Sequence, residues 1–107
     1  MADHTFVVFT KPVAGKEAEY NRWYDEQHLP DVLQVPGVVN ARRYVAKDAE
    51  GNKQYLALYG LQTDNPDALL ADLNSRAGSE RMVMSDALDM ESINAVIYSA
   101  ITPLVTL

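Results

Sequence analysis

The sequence has no cysteine among its 107 residues, and it has few basic residues. Without cysteine there are no disulfide scaffolds, zinc–thiolate sites or thiol nucleophiles. The chain has 9 Lys and Arg against 15 Asp and Glu, which gives a formal net charge of −6 at pH 7. Binding to nucleic acid requires a basic surface, so we expect no nucleic-acid partner. No apolar run is long enough to span a bilayer, so we expect no membrane partner.

The beginning of the chain shows no sign of a targeting segment. Met1 and Ala2 are followed by Asp3 and His4 rather than by basic residues, and the apolar run 6–9 is short. This pattern predicts a cytoplasmic location. Hydrophobic residues make up 48% of the chain and charged residues 22%, without a low-complexity linker, which predicts one globular domain over residues 1–107.

The hydrophobic periodicity changes several times along the chain and predicts six main elements. The first helix is expected to be interrupted near Pro30, to resume as a short turn and to stop at Pro36 and Gly37. Residues 79–91 are ambiguous between a short helix and a loop. The predicted elements are a strand at 4–10, a helix from residue 16, strands at 38–46 and 53–61, a helix from Asn65 to Gly78, and a strand at 92–101.

The resulting β-α-β-β-α-β order is that of the ferredoxin-like α+β fold. This fold has a four-stranded antiparallel sheet with both helices on one face. A monomer would place polar residues on the other face, yet the predicted strands are apolar on both sides. Val7 and Phe9, for example, alternate with Phe6 and Val8. We therefore expect a homodimer through the open sheet face; the alternative is a monomer with an exposed apolar face.

A segment at residues 16–45 resembles a known family. Trp23 and Tyr24 are followed by His28 and Pro30 in the pattern W-Y-x-x-x-H-x-P, and a Pro-Gly turn then leads into the second strand. This arrangement is similar to that of the EthD-like branch of the dimeric α+β barrel superfamily. The resemblance implies a homodimeric barrel with a pocket between helices and sheet. The superfamily includes cofactor-free monooxygenases, cyclases, isomerases and haem-degrading enzymes, so the resemblance leaves the reaction open.

His28 is the first candidate for chemistry. Tyr20, Tyr24 and His28 are spaced by four residues and lie along one flank of the predicted helix, which should face the sheet. A histidine there can accept or donate a proton, and the Tyr24 phenol can orient it or polarise a carbonyl. The alternative is a buried histidine that is fully hydrogen-bonded and fixes the bend at Leu29 and Pro30.

Aromatic residues supply the candidates for ligand binding. The chain has six tyrosines and one tryptophan against two phenylalanines. Phenols and an indole suit a small hydrophobic or aromatic ligand, because they offer ring faces for stacking and hydroxyls for orientation. Tyrosine also packs well in strands and interfaces without any ligand, which is the alternative. The candidate binding residues are Tyr20, Trp23, Tyr44, Tyr59 and Tyr98.

Arg42 and Arg43 are adjacent on a predicted strand and therefore point to opposite faces. At least one guanidinium should lie near a covered surface and need an anion. The anion could be a substrate carboxylate or enolate, which would make Arg43 a stabilising catalytic group. It could equally be a helix carboxylate such as Asp25, in an internal salt bridge.

The sequence contains no recognisable metal or cofactor motif. Its two histidines, His4 and His28, lack ligand spacing, and its glycines are scattered singly. The prediction is a cofactor-independent isomerase, cyclase or lyase that moves protons on an aromatic or carbonyl compound, with His28, Tyr24 and Arg43 as catalytic candidates. The alternatives are a non-catalytic binding or accessory protein of a catabolic pathway, or a cofactor-free monooxygenase.

Overall fold

A computed structural model describes residues 3–107. Met1 and Ala2, on which the targeting prediction and the domain span 1–107 partly depend, lie outside the described residues. The strands form one antiparallel sheet in the order β2-β3-β1-β4, and the predicted ferredoxin-like α+β fold is confirmed. The strands are β1 (His4–Thr10), β2 (Val38–Lys47), β3 (Lys53–Leu61) and β4 (Asn94–Ser99).

One face of the sheet carries the core. Phe6 is opposite Tyr59 and Val8 is opposite Ala57, and all four side chains are buried on this face. The alternation of the strands assigns the residues between them to the other face. Phe6 and Val8 therefore share one face and Val7 and Phe9 the other, as predicted from the sequence.

The first helical region runs without a break over residues 17–32. It comprises α1 (Glu17–Trp23), a π-helical segment (Tyr24–His28) and α2 (Leu29–Val32). The predicted interruption near Pro30 is wrong. A proline ring inside an α-helix clashes with the carbonyl four residues earlier, whereas the wider π turn leaves room. Accordingly, the Leu29 N–H donates to the Tyr24 carbonyl, five residues back.

The second helix, α3 (Pro66–Arg76), begins at a well-capped site. The Asn65 side-chain oxygen accepts a hydrogen bond from the Ala68 N–H at 3.0 Å, and Pro66 occupies the first helical position. These are the signals from which the helix start was predicted. Leu69 and Leu73 are buried, so α3 lies on the same face of the sheet as α1.

Residues 79–91 form a loop whose last two residues begin a short 3₁₀ turn (Met90–Ser92). Met82 and Ala87 are fully buried, and the Val13 N–H donates to the Ala87 carbonyl at 2.7 Å. The loop therefore closes the layer of helices over the core. The last strand is shorter than predicted, because Ser92 belongs to the 3₁₀ turn and residues 100–107 leave the sheet as an extended tail.

In the part of the chain that the structure describes, no helix covers the other face of the sheet. This open face carries a contiguous group of apolar side chains that are half-buried or exposed: Val7, Phe9, Tyr44, Leu56, Leu58, Val96 and Tyr98. The tail is also uncovered, with Ile101 96% exposed. Within residues 3–107, no helix has both the length and the apolar character needed to cross a lipid bilayer.

Candidate functional site

A cavity of about 250 Å³ lies between the helices and the sheet. Its walls are mostly apolar, and it opens beside β4, where Met90, Ile93 and Ala95 are exposed. The deeper lining residues are Phe6, Val8, Thr10, Trp23, Tyr24, His28, Val32, Tyr59, Leu73, Met82, Met84 and Leu88. The cavity thus occupies the position that the sequence analysis expected for a pocket.

His28 is held in the wall of this cavity by two aromatic rings. Its imidazole stacks on Trp23 with ring centroids 4.6 Å apart, and the Tyr24 ring meets it edge-on at 5.1 Å. Its Nδ1 is buried and has no hydrogen-bond partner among residues 3–107. Burial lowers the pKa of His28 to about 4, although the nearby Asp31 carboxylate acts in the opposite direction. The imidazole is therefore uncharged at neutral pH.

Tyr59 is the second cavity residue with an unsatisfied polar atom. Its side chain is 1% exposed, and its hydroxyl makes no hydrogen bond of normal geometry among residues 3–107, although the Tyr24 hydroxyl is close enough to influence it. Burial raises the pKa of Tyr59, and the neighbouring Tyr24 phenol raises it further. Burial likewise raises the pKa of Tyr24. Both phenols therefore keep their protons and can act as hydrogen-bond donors.

Trp23 fixes one wall of the cavity. Its indole Nε1–H donates to the Val83 carbonyl at 2.9 Å, which ties the helix to the 79–91 loop. The π-helical segment that follows Trp23 widens the helix where Tyr24 and His28 project toward the sheet. Such segments are frequent at functional sites, and this one sets the position of both side chains.

Arg43 lies on the helix face of β2 but is not among the residues that line the cavity. Its guanidinium donates to Asp25 and to the Asn21 side-chain oxygen, each at 2.7 Å. It also lies over the Tyr24 ring, 4.5 Å from the centroid. Of the alternatives for this residue, the structure contains the internal salt bridge with Asp25.

The remaining candidate tyrosines do not meet at the cavity. Tyr20 is fully buried, and its hydroxyl is hydrogen-bonded to the Thr10 hydroxyl rather than lining the cavity. Tyr44 and Tyr98 lie on the open face of the sheet and are 45% and 61% exposed. The structure therefore brings together Trp23, Tyr24, His28 and Tyr59, and places Tyr20, Tyr44 and Tyr98 elsewhere.

Several cavity residues were not identified from the sequence. Thr10 lies in β1 and lines the cavity with its hydroxyl bound to Tyr20. Alternation along β1 places Thr10 on the same face as Phe6 and Val8, so Thr10 was predictable. Leu88 comes from the loop that showed no periodicity, and no local signal indicates it. The methionines of that loop are typical of a pocket mouth or of ordinary loop packing, and Met82 and Met84 both line the cavity.

The charges around the site do not form a metal centre. Among residues 3–107, no group of three or more histidine, aspartate or glutamate side chains is placed to hold a metal ion. The lining of the cavity includes no Asp, Glu, Lys or Arg. The titratable side chains of the lining are thus one imidazole and two phenols, and Thr10 and Asn74 add uncharged polar groups.

Comparisons with known proteins identify the fold. No family model matches the chain, and no curated protein matches its sequence. A variant of MhuD, crystallised with two manganese protoporphyrin IX molecules per active site, is similar with a TM-score of 0.60 at 11% identity. That match covers 96% of this chain and 99% of the other.

A second solved structure is an EthD family protein, named for ethyl tert-butyl ether, from Bacillus halodurans C-125. It is similar with a TM-score of 0.50 at 13% identity, over 92% of this chain and 99% of that chain. The chain has the fold of these two proteins. The resemblance to the EthD-like branch, stated above from residues 16–45, is confirmed as a likeness of fold. At 11% and 13% sequence identity, the likeness shows the fold and not the activity.

Proposed function

We propose that this protein binds a small hydrophobic or aromatic compound in the 250 Å³ cavity and moves a proton on it without a cofactor. The observation that carries this proposal is the buried, unpartnered Nδ1 of His28 in the cavity wall. Leaving a buried polar atom unpaired costs about 1–3 kcal/mol, so its retention favours a use in function. The reaction class is that of an isomerase, cyclase or lyase.

The chemistry follows from the charge states of the lining groups. At neutral pH the uncharged imidazole of His28 accepts a proton from a carbon next to a carbonyl group. The hydroxyl of Tyr59 or Tyr24 donates a hydrogen bond to the oxygen on which negative charge develops. The proton returns to another carbon or to the oxygen. Because the pKa of His28 is low in the free protein, the developing oxyanion must stabilise the imidazolium as it forms.

A second candidate function is non-catalytic binding, as in an accessory protein of a catabolic pathway. The position of Arg43 favours it, because the cation suited to stabilise an enolate is held by Asp25 outside the cavity lining. A binding protein needs only the shape of the cavity and its few polar atoms.

Proton exchange distinguishes the two functions. We expect the wild-type protein to incorporate solvent deuterium next to the carbonyl group of a ketone or lactone from a panel of small cyclic compounds, followed by NMR. His28→Gln should lower this rate at least 100-fold, because a positioned general base contributes about 10²–10⁴. Binding without exchange in the wild type would support the accessory protein instead.

The other histidine offers a matched control. His4 is the first residue of the central strand β1, and its Nδ1 is 2.7 Å from the Ser99 hydroxyl; it does not line the cavity. His4→Gln should therefore leave exchange unchanged. Equal loss in both variants would argue against a specific role of His28.

A homodimer through the open sheet face is part of this proposal. The chain exposes 7145 Å², about 1,200 Å² more than the roughly 5,900 Å² expected of a folded monomer of its mass. A standard interface buries about 800 Å² per partner, so the excess, part of which belongs to the exposed tail, is large enough to include one. The apolar side chains of the open face support the same partner, a second copy of the chain. The cytoplasmic location stays a prediction from the sequence.

A further inference from the structure

The cavity combines a small volume with a complete lack of lining charge. Its volume of about 250 Å³ lies below the roughly 300–1,000 Å³ of pockets for drug-sized ligands. It exceeds the roughly 150 Å³ of an engineered apolar cavity that holds benzene. The cavity therefore has room for one ring and a few further atoms.

A charged ligand would find no counter-ion in this cavity. No Lys or Arg lines it, and the nearby cation Arg43 already donates to Asp25 and Asn21. Moving a carboxylate from water into such a site without a partner costs several kcal/mol. The neutral imidazole of His28 adds no charge of its own.

A ligand with one oxygen atom would instead find a hydrogen-bond partner in the cavity wall. The His28 Nδ1 and the Tyr59 hydroxyl are the two buried side-chain atoms of the described residues that have no partner; both residues line the cavity, and each atom exposes less than 1 Å², so a ligand reaches it only when the side chain turns toward the cavity. A ligand hydroxyl group can donate to the imidazole or accept from the phenol, and a carbonyl oxygen can accept from the phenol. Either group would pair an atom that is otherwise left unsatisfied.

We infer, on the basis of the proposed function, that the cavity selects compact uncharged ligands with a single hydroxyl or carbonyl group and excludes carboxylates. A tetrapyrrole does not fit these residues. The macrocycle is larger than the cavity and carries two carboxylates, for which the lining offers no cation. In ligand class this chain therefore differs from the MhuD variant that shares its fold and binds manganese protoporphyrin IX.

The single tryptophan provides a direct reporter of binding. Trp23 is the only tryptophan, so its indole N–H gives one NMR signal, and the ring lies in the cavity wall. Three probes of matched size are titrated at neutral pH: 4-methylphenol, toluene and benzoate. We expect 4-methylphenol to bind most tightly, toluene more weakly, and benzoate at least tenfold more weakly than 4-methylphenol. Manganese protoporphyrin IX should not displace 4-methylphenol.

Two variants separate the polar contact from the shape of the cavity. Tyr59→Phe should bring the affinity for 4-methylphenol close to that for toluene and leave toluene unchanged. Tyr98→Phe, on the open face, should change neither affinity. Both replacements remove one hydroxyl and keep the ring, so we expect both variants to fold. The Trp23 signal of each variant checks that it does.

The outcomes are distinct for the two proposals. If benzoate binds as tightly as 4-methylphenol, or if the porphyrin displaces it, the selection for uncharged ligands is wrong while the binding site stands. If the Tyr59→Phe protein binds 4-methylphenol like the wild type, the assigned oxygen contact is wrong. If no neutral probe shifts the Trp23 signal, both this inference and the proposed function fail.

Discussion

At the scale of single residues, His28 shows how burial can fix a protonation state. The imidazole is enclosed by Trp23 and Tyr24, and desolvation lowers its pKa from 6.5 to about 4. Burial disfavours the charged form, and the carboxylate of Asp31 only partly offsets the effect. A residue chosen from the sequence as an acid or a base is therefore, in the free protein, ready to act only as a base or a hydrogen-bond partner.

The low pKa of His28 predicts a specific loss of stability in acid. Below pH 6.5 the unfolded chain protonates this histidine, while the folded chain does not until about pH 4. The unfolded state thus binds more protons, and the free energy of unfolding falls as the pH falls through this window. The shift corresponds to about 3 kcal/mol. Urea denaturation of the wild type and of His28→Gln at several pH values measures this difference.

The variant serves as its own control for the other titrating groups. Carboxylates titrate in both proteins, so the comparison isolates the histidine. We expect the wild type to lose about 3 kcal/mol more than His28→Gln between pH 7 and pH 4. Parallel stability curves for the two proteins would show that His28 is solvated in the folded state.

At the scale of elements, the contact between the 17–32 helix and β2 rests on Arg43. Its side chain is 14% exposed, pairs with Asp25 and Asn21, and lies over the Tyr24 ring. The two partners, Asn21 and Asp25, are on successive turns of the helix, so one guanidinium holds both turns against the edge strand. The contact also backs the Tyr24 ring, whose edge meets His28.

Replacing this arginine should loosen the contact between helix and sheet. Arg43→Met keeps much of the apolar length but removes the two charged hydrogen bonds and the cation–π contact. We expect it to lower the free energy of unfolding by about 2 kcal/mol. Arg22→Met, exposed on the same helix, should change stability by less than about 0.5 kcal/mol. Thermal and urea denaturation measure both; equal effects would mean that Arg43 has no special role in packing.

The elements that followed local rules were predictable from the sequence. The β3 bounds, 53–61, follow from a leucine- and tyrosine-rich run between polar turns, and the start of α3 follows from Asn65 and Pro66. The π-helical segment was not predictable, because the clash of Pro30 could also be relieved by ending the helix. The 79–91 loop was not predictable either, because Met82 and Ala87 are buried by distant parts of the chain.

The candidate site was predictable only in part, for a similar reason. The spacing of Tyr24 and His28 on one helix placed them together, and alternation in β3 placed Tyr59 on the same face. Tyr44 and Tyr98 were chosen by residue type alone. Register puts Tyr44 opposite Leu56 and Tyr98 opposite Thr5, both on the open face. Residue type indicates what a side chain can bind, whereas the alternation along the strand decides on which face of the sheet it lies.

At the scale of the whole molecule, the chain is less compact than its length predicts. Its radius of gyration is 14.5 Å, against about 13 Å for a compact domain of this size. The extended tail contributes to the difference, with Leu104 and Val105 mostly exposed. The tail and the open face are both apolar, and both would lose contact with water in a symmetric pair of chains.

The proposed homodimer predicts that one charge placed at the centre of the open face will separate the chains. Leu58 lies in β3 opposite Val7 on this face, and Leu58→Lys would bury an unpaired ammonium in the interface while leaving it solvated in a monomer. We expect the wild type to sediment at twice the chain mass of 11.9 kDa, and Leu58→Lys at the single-chain mass with its fold retained. Leu33→Lys, which also exposes its side chain but lies beyond α2, should remain dimeric. A wild type that sediments as one chain at every concentration tested would refute the dimer, because the open face would then be stable in water.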